Sequence, residues 1–226
     1  MLNRSTKPIL LASEMSDSGA EVWSRYRLEA IMFRLARRHA EKAEEYARKY
    51  SESHDRLDLE REMEHSLQAI ILSHAFLEAY LNFIGEERLG GSPNISDQIL
   101  WEAILKLRPN FMSKWSLVVK AVTKKRLEDE DNELWKKLNG LNDLRNKIIH
   151  YKPKPSEGVE SWEEKNIRSE NAKMAVSIAE QVVRKFHELD ESKPPDFLKT
   201  LKAGKHHILI LGGSPKSDER DKGRRS

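Results

Sequence analysis

The feature that most constrains the fold is a long apolar stripe at helical spacing in the first half of the chain. Between residues 56 and 88, large side chains recur at steps of three and four: Met63, Leu67, Ile70, His74, Leu77, Leu81 and Ile84. That period predicts one long amphipathic helix, which Gly90-Gly91-Ser92-Pro93 would end. Because such a helix is stable only when its stripe is covered by other elements, the stripe predicts a helical bundle.

The same period recurs along the rest of the chain. It predicts helices over residues 21–50, over a segment capped by Ser96 or Asp97 that ends before Pro109, and over residues 114–125, 131–151 and 167–189. Residues 1–20 lack periodicity and are expected to form a flexible arm, and residues 191–226 a basic, largely flexible tail. The expected fold is therefore all-α, with two long antiparallel helices and several shorter ones in one domain over residues 21–190.

Composition excludes several classes of protein. The 226 residues contain no cysteine, which excludes disulfides, thiolate zinc sites and a cysteine nucleophile. No apolar run approaches the roughly 20 residues that span a bilayer, so no membrane partner is expected. The early apolar run of residues 8–12 is too short for a secretory signal, so we expect a cytoplasmic protein. The net charge is +3, and residues 191–226 hold nine basic and five acidic residues. Because the predicted domain is then close to neutral, a broad basic face for duplex nucleic acid is not expected.

The last predicted helix before the prolines Pro153 and Pro155 carries an unusual set of polar residues. Arg145 falls on the edge of the apolar stripe, so a buried guanidinium there would need an anionic partner. Asn142, Asn146 and His150 follow one another at four-residue steps and form a polar ladder on the neighbouring flank. Since a proline disfavours helical dihedrals in the residue before it, His150 is expected in the final turn.

These residues resemble a known family. The run Arg145-Asn146-Lys147-Ile148-Ile149-His150 is similar to the signature of HEPN domains, an arginine and a histidine separated by four residues. The preceding Leu141–Leu144 and the following Tyr151 also resemble that family. Residues 73–82 are similar to the family's early long helix, in which a polar or acidic residue often faces the active arginine, so Glu78 is expected to hold Arg145.

The resemblance implies a function. Catalytically competent HEPN proteins are metal-independent ribonucleases that form homodimers with their motifs facing each other. They would leave 2′,3′-cyclic phosphate and 5′-hydroxyl ends on RNA, without a metal or cofactor. Arg145 and His150 would be the catalytic residues, and Asn146, Glu78 and Tyr151 would support them. By the same resemblance the protein would serve as a toxin or antiviral defence effector, held in check by an antitoxin or regulatory protein.

Other interpretations remain open. The protein can be a non-catalytic HEPN module that binds RNA or nucleotide and signals to a partner, or a helical interaction domain in which Arg145 and His150 only stabilise a helix end. His74 is expected to be a hydrogen-bonded core histidine. In the tail, Gly212–Ser217 lacks the spacing of a phosphate loop and His206-His207 lacks that of a metal site. Three interpretations of Ile208–Leu211 stay open: it adds a strand to a partner, folds back on the bundle or is disordered.

Overall fold

A computed structural model describes residues 13–15, 21–23, 28–151 and 161–199. Within these ranges the chain forms eight α-helices and one short pair of antiparallel strands, in which Ser13 lies opposite Trp23. The strands are β1 (Ser13–Met15) and β2 (Glu21–Trp23), and the helices are α1 (Leu28–Ser53), α2 (Arg56–Gly85), α3 (Ile95–Leu107), α4 (Phe111–Thr123), α5 (Leu127–Glu130), α6 (Asn132–Ile149), α7 (Trp162–Asn166) and α8 (Ser169–Leu189). The predicted all-α fold is confirmed.

The two long helices α1 and α2 form a hairpin. Only His54 and Asp55 separate them; His54 has a φ of 55°, in the left-handed region that reverses the chain, and Asp55 accepts a hydrogen bond from the Leu57 amide. Helix α8 packs on both long helices. Small buried side chains allow these three helices to approach closely: Ala40, Ala43, Ala69 and Ala172.

Helix α2, with the turn that follows it, is long enough and apolar enough to cross a membrane, judged by length and composition alone. Over residues 56–90 its most apolar window has a mean hydropathy of 1.3, and half of that window is buried inside the bundle. Ile70, Phe76, Leu77 and Leu81 are all at most 1% exposed. The packing of α1 and α8 against this helix therefore accounts for its apolar character.

Helix α2 ends in a π-helical turn, Glu86–Gly90, that encloses a tryptophan of α3. The Trp101 ring lies so close to Gly85 that a Cβ atom there would stand 2.2 Å from it, and at Gly90 the distance would be 2.9 Å. The Trp101 indole N–H donates to the Glu86 carboxylate at 2.8 Å. Both glycines are thus required by packing, and α3 is attached to the bundle through Trp101 and Ile104, each 3% exposed.

Several predicted boundaries are wrong. Helix α1 begins at Leu28 rather than Glu21, because Glu21–Trp23 pairs with β1 instead. Asn94, and neither Ser96 nor Asp97, caps α3, since its side chain accepts from the Ser96 amide. Sequence periodicity does not reveal α5 or α7, which have only four and five residues. Such short helices show too few turns to establish a repeat.

Residues 191–199, which the sequence assigned to the tail, pack on the bundle. Glu191 turns the chain with a φ of 54°, and Leu198 is 1% exposed. The Phe197 ring makes edge-on contacts with Phe33 and Phe76. Residues 200–226, with the His206-His207 pair, the Ile208–Leu211 run and the Gly212–Ser217 segment, lie outside the described residues, as do residues 1–12.

A buried hydrogen-bonded chain fixes the end of α8. Ser192 Oγ donates its proton to Asp190 at 2.6 Å and lies 2.7 Å from His187 Nδ1. Because a hydroxyl has only one proton to donate, His187 Nδ1 is the donor in the second contact. His187 Nε2 then accepts from the Tyr80 hydroxyl at 2.5 Å. Arg88 completes the chain with a 2.8 Å ion pair to Asp190. Each of these four contacts has a donor and an acceptor, which joins α2 to the end of α8.

Candidate functional site

Helix α6 presents the arginine–histidine motif at its C-terminal end. Asp131 caps its start by accepting from the Leu134 amide at 2.9 Å, and Leu138 and Leu141 bury its inner face. The helix ends at Ile149, and His150 is the cap residue, whose amide donates to the Asn146 carbonyl at 2.9 Å. His150 therefore stands directly after the last helical residue rather than within the final turn.

Arg145 is half-buried and is held by its neighbour. Its Nη1 donates to Asn146 Oδ1 at 3.0 Å. The expected contact with Glu78 is not formed: Glu78 is exposed on α2, and no ion pair joins it to Arg145 in the part of the chain that the structure describes. A half-buried guanidinium keeps part of its hydration, so it does not need the buried counter-ion that the sequence analysis required.

His74 connects α2 to the same end of the bundle. It is 3% exposed, its Nε2 lies 3.2 Å from Asn142 Oδ1, and its ring centroid lies 4.1 Å from that of Phe111. Burial lowers the pKa of His74 most, and the positive charge of Arg145 lowers it further, while the Asn142 hydrogen bond and the charge of Glu78 oppose these effects. The charges of Arg145 and Glu78 thus both act on one buried imidazole.

A lysine that sequence reasoning missed lies near Glu78. Lys114 of α4 donates to the Asn82 side chain, and its ammonium stands 5.7 Å from the Trp101 ring centre. Burial lowers the pKa of Lys114, and the negative charge of Glu78 opposes that shift. No local pattern places Lys114 near Glu78, because the two residues meet only through the packing of α4 on α2. Glu78 therefore acts on Lys114 through its charge, without an ion pair to Lys114 or Arg145 among the described residues.

Asn146 and His150 complete the site. Asn146 accepts from Arg145 through its side chain and from the His150 amide through its carbonyl, so one residue holds both members of the motif. The His150 side chain is exposed and makes no hydrogen bond within the described ranges. Its imidazole is therefore open to a ligand, and five residues of helix rise separate it from Arg145 by about 7.5 Å along the axis.

Tyr151 packs against α7. Its ring stacks on Trp162 of α7, with the centroids 5.6 Å apart and the planes 24° from parallel. Its hydroxyl donates to the Glu163 carboxylate; that hydrogen bond raises the pKa of Tyr151 and lowers the pKa of Glu163. The short helix α7 begins with a capping box between Ser161 and Glu164, a signal that the sequence does contain. Tyr151 thus holds α6 to α7.

Two further findings bear on the site. No group of three or more histidine and carboxylate side chains among the described residues has an arrangement that could hold a metal ion. Comparisons of the chain with protein-family models, with curated proteins and with solved structures give no match.

Proposed function

We propose that the protein is a metal-independent endoribonuclease of the HEPN class that acts as a homodimer. The observation that carries the proposal is the exposed, uncommitted imidazole of His150 at the end of α6, in register with an arginine that Asn146 holds. An imidazole changes charge between pH 5 and 8, as a general acid or base must. A guanidinium offers forked donors to a phosphoryl group that gains negative charge.

The proposed reaction needs only these groups. His150 accepts the proton of a ribose 2′-hydroxyl, and the 2′-oxygen attacks the adjacent phosphorus atom. Arg145 stabilises the charge on the phosphoryl oxygens while the bond from phosphorus to the 5′-oxygen breaks. His150 of the partner subunit gives its proton to the leaving 5′-oxygen. The products are a 2′,3′-cyclic phosphate and a 5′-hydroxyl. One His150 has gained a proton and His150 of the partner subunit has lost one, so the total charge of the site is unchanged.

The biological setting in this proposal is cytoplasmic defence, as a toxin or antiviral effector under the control of an antitoxin or regulatory protein. It rests on the resemblance of the Arg145–His150 motif to HEPN domains. The dimer places two such motifs on either side of one RNA linkage. Sedimentation measurements on the full chain, with and without RNA, test the dimer.

The decisive experiment measures RNA cleavage by the full chain in EDTA and identifies the new ends. We expect 2′,3′-cyclic phosphate and 5′-hydroxyl ends, and a loss of about 100-fold or more in His150→Asn, because general acid–base catalysis contributes about 10²–10⁴-fold. His54→Asn is the matched control: His54 is also an exposed histidine directly after a helix, but it follows α1 and not the motif helix α6.

The outcomes separate the candidate functions. If His150→Asn and His54→Asn cleave at the wild-type rate, the activity belongs to a contaminant and the proposal fails. If RNA binds without being cut and Arg145→Ala weakens that binding, the protein is a non-catalytic RNA-binding module. Circular dichroism and thermal melting of each variant show that the fold is retained.

A helical protein-interaction domain is the second candidate, and α3 favours it. Apolar side chains follow one face of α3 and are exposed, among them Ile95 at 70%, Ile99 at 60% and Leu107 at 79%. Exposed apolar stripes of this kind mark interaction surfaces. Ile99→Lys should reduce partner binding if this face is used. Wild-type RNA cleavage by the same variant would show that the catalytic dimer forms without this face.

A further inference from the structure

An open groove of about 450 Å³ lies where α4 meets α5 and the first turns of α6. Leu127, which is 1% exposed, anchors the short helix α5 beside α4, and Asp131 caps α6 so that Trp135 stands one turn into that helix. Six side chains line the groove: Met112, Ser113, Ser116, Leu117, Glu128 and Trp135. Its volume lies within the range of ligand sites in proteins.

The walls of the groove are mainly apolar. Met112 and Trp135 are partly buried and pack against the hydrophobic core, so the fold fixes their positions. Leu117 is 45% exposed and lies at the opening of the groove. An aromatic ring beside exposed aliphatic surface suits the flat face of a guanidinium group and the methylene stem that carries it.

Glu128 is the charged member of this lining. Its Oε1 accepts a 2.5 Å hydrogen bond from the Ser116 hydroxyl, which holds the carboxylate against α4, and its enclosed Oε2 has no hydrogen-bond partner among the described residues. The Nη1 of Arg126 stands 4.0 Å from Oε1, at the outer limit of an ion pair, and the Arg126 side chain is 47% exposed. The negative charge of Glu128 is therefore only partly compensated, which favours a cation that approaches more closely.

The surroundings of the groove favour a basic segment of a polypeptide. Residues 124–133 hold three basic and five acidic residues, so this part of the surface is negative by two charges. Ser113 and Leu117 are exposed side by side on α4, where a partner's backbone can cross the helix while one long side chain enters the groove. Complementary charge of this kind guides the partner to the groove and selects against acidic segments.

We propose that this groove binds an arginine side chain of a partner protein. The guanidinium would lie against the Trp135 ring and donate to the Glu128 carboxylate. Its methylene stem would cover Met112 and Leu117. Arginine fits better than lysine, because a planar guanidinium stacks on an aromatic ring and also offers forked donors to a carboxylate. The groove is about 15 Å of helix rise from Arg145, so the proposal does not depend on RNA cleavage.

The first test titrates the full chain with acetyl-Leu-Arg-Leu-amide and with the same peptide carrying citrulline or lysine at its centre. Nuclear magnetic resonance of the labelled chain follows the indole N–H signal of Trp135, which Trp135→Phe identifies. Citrulline keeps the shape of arginine without its charge and should bind at least about 10-fold more weakly. Lysine should bind about 2- to 10-fold more weakly. Equal affinity for arginine and citrulline, or no shift at about 10 mM peptide, would overturn the proposal.

A pair of glutamate variants locates the binding. Glu128→Gln keeps the shape of the side chain and removes its charge, so it should weaken the arginine peptide about 10-fold or more. Glu130→Gln is the matched control, because Glu130 is exposed on the same short helix and does not line the groove; it should leave the affinity within about 2-fold. Equal weakening in both variants would show diffuse attraction by the acidic segment and would count against the groove.

Ser113→Arg tests the groove without altering Glu128. Ser113 is exposed, and its backbone amide rather than its side chain accepts the role of capping partner to Asn110, so the substitution should fold. The new guanidinium should occupy the groove from within the chain and abolish peptide binding, whereas Ser113→Gln should keep the affinity within about 3-fold. Wild-type peptide affinity in Ser113→Arg would show that the groove is not the site.

Propylguanidine separates a free guanidine compound from an arginine within a polypeptide. It carries the same head group and stem without flanking residues, so it should bind at least about 5-fold more weakly than the arginine peptide. Equal or tighter binding of propylguanidine would overturn the partner protein as occupant and assign the groove to a small guanidine compound. Glu128→Gln should cleave RNA at the wild-type rate, and the peptide titrations keep their meaning if no cleavage is found at all.

Discussion

Two histidines join helices of the bundle, and their surroundings differ. His187 lies in a hydrogen-bonded chain: it contacts Tyr80 on one side and Ser192 on the other. Ser192 donates to Asp190, which also forms an ion pair with Arg88. Within the described ranges, His74 has one side-chain hydrogen bond, at 3.2 Å to Asn142, and the charges of Arg145 and Glu78, which form no ion pair with each other there, act on it. A completed polar chain stabilises the fold, whereas unpaired charges near a buried imidazole remain available to a ligand.

The largest expected effect is on RNA cleavage, and it should differ between Arg145, near His74, and Arg88, in the hydrogen-bonded chain of His187. Arg145→Ala should reduce RNA cleavage about 100-fold or more, since removing one donor to a developing oxyanion has that cost. Arg88→Ala should leave the cleavage rate within about 2-fold of the wild type, because Arg88 forms an ion pair with Asp190 in the His187 chain, away from the motif. Initial rates in EDTA measure both. Equal losses in the two variants would mean that folding, and not chemistry, is affected.

The next effect concerns stability. His187→Ala should lower the free energy of unfolding by about 2–4 kcal/mol, because it leaves the buried Tyr80 hydroxyl without its imidazole acceptor and opens a cavity. Urea denaturation followed by circular dichroism measures the change. The RNA affinity of the folded variant should be unchanged, and a selective loss of RNA binding would move the functional region to this end of the bundle.

A smaller loss is expected at the other histidine. Asn142→Ala removes the 3.2 Å contact to His74 and should cost about 1 kcal/mol, the typical value for one neutral hydrogen bond. Asn139→Ala is the matched control, because Asn139 lies on the exposed side of the same helix and makes only a 3.4 Å contact. Thermal and urea unfolding of the pair give the difference. A cost equal to that of His187→Ala would remove the contrast drawn between the two histidines.

The smallest effect is a pH dependence. Because burial lowers the pKa of His74 from 6.5, the unfolded chain binds a proton that the folded one does not, so stability is present above pH 6.5 and is lost as the pH falls below it. His74→Gln should flatten this fall between about pH 7 and 5. His39 has a pKa lowered by burial and by His65, so the comparison is made in a His39→Gln background. An unchanged slope in urea unfolding would show that His74 titrates normally.

The sequence predicts those parts of the fold that are set by long periodic patterns. The stripe of α2 and the position of Arg145 and His150 at the end of α6 follow from spacing alone. The α7 helix was missed, although its Ser161–Glu164 capping box is readable from sequence. The proximity of Lys114 to Glu78 could not be read, because it depends on how α4 packs against α2. The assignment of Glu78 to Arg145 was wrong for the same reason: tertiary packing decides which ionised groups meet.

The stacking of Tyr151 on Trp162 has a practical consequence. These two rings stand at the two ends of residues 152–160, and the Tyr151 hydroxyl also reaches Glu163. A protease cut anywhere between them would therefore leave two fragments that stay associated through these stacked rings and through the packing of α8 on α1, α2 and α6. A sample nicked there would migrate as one particle in native gels and as two bands only after denaturation.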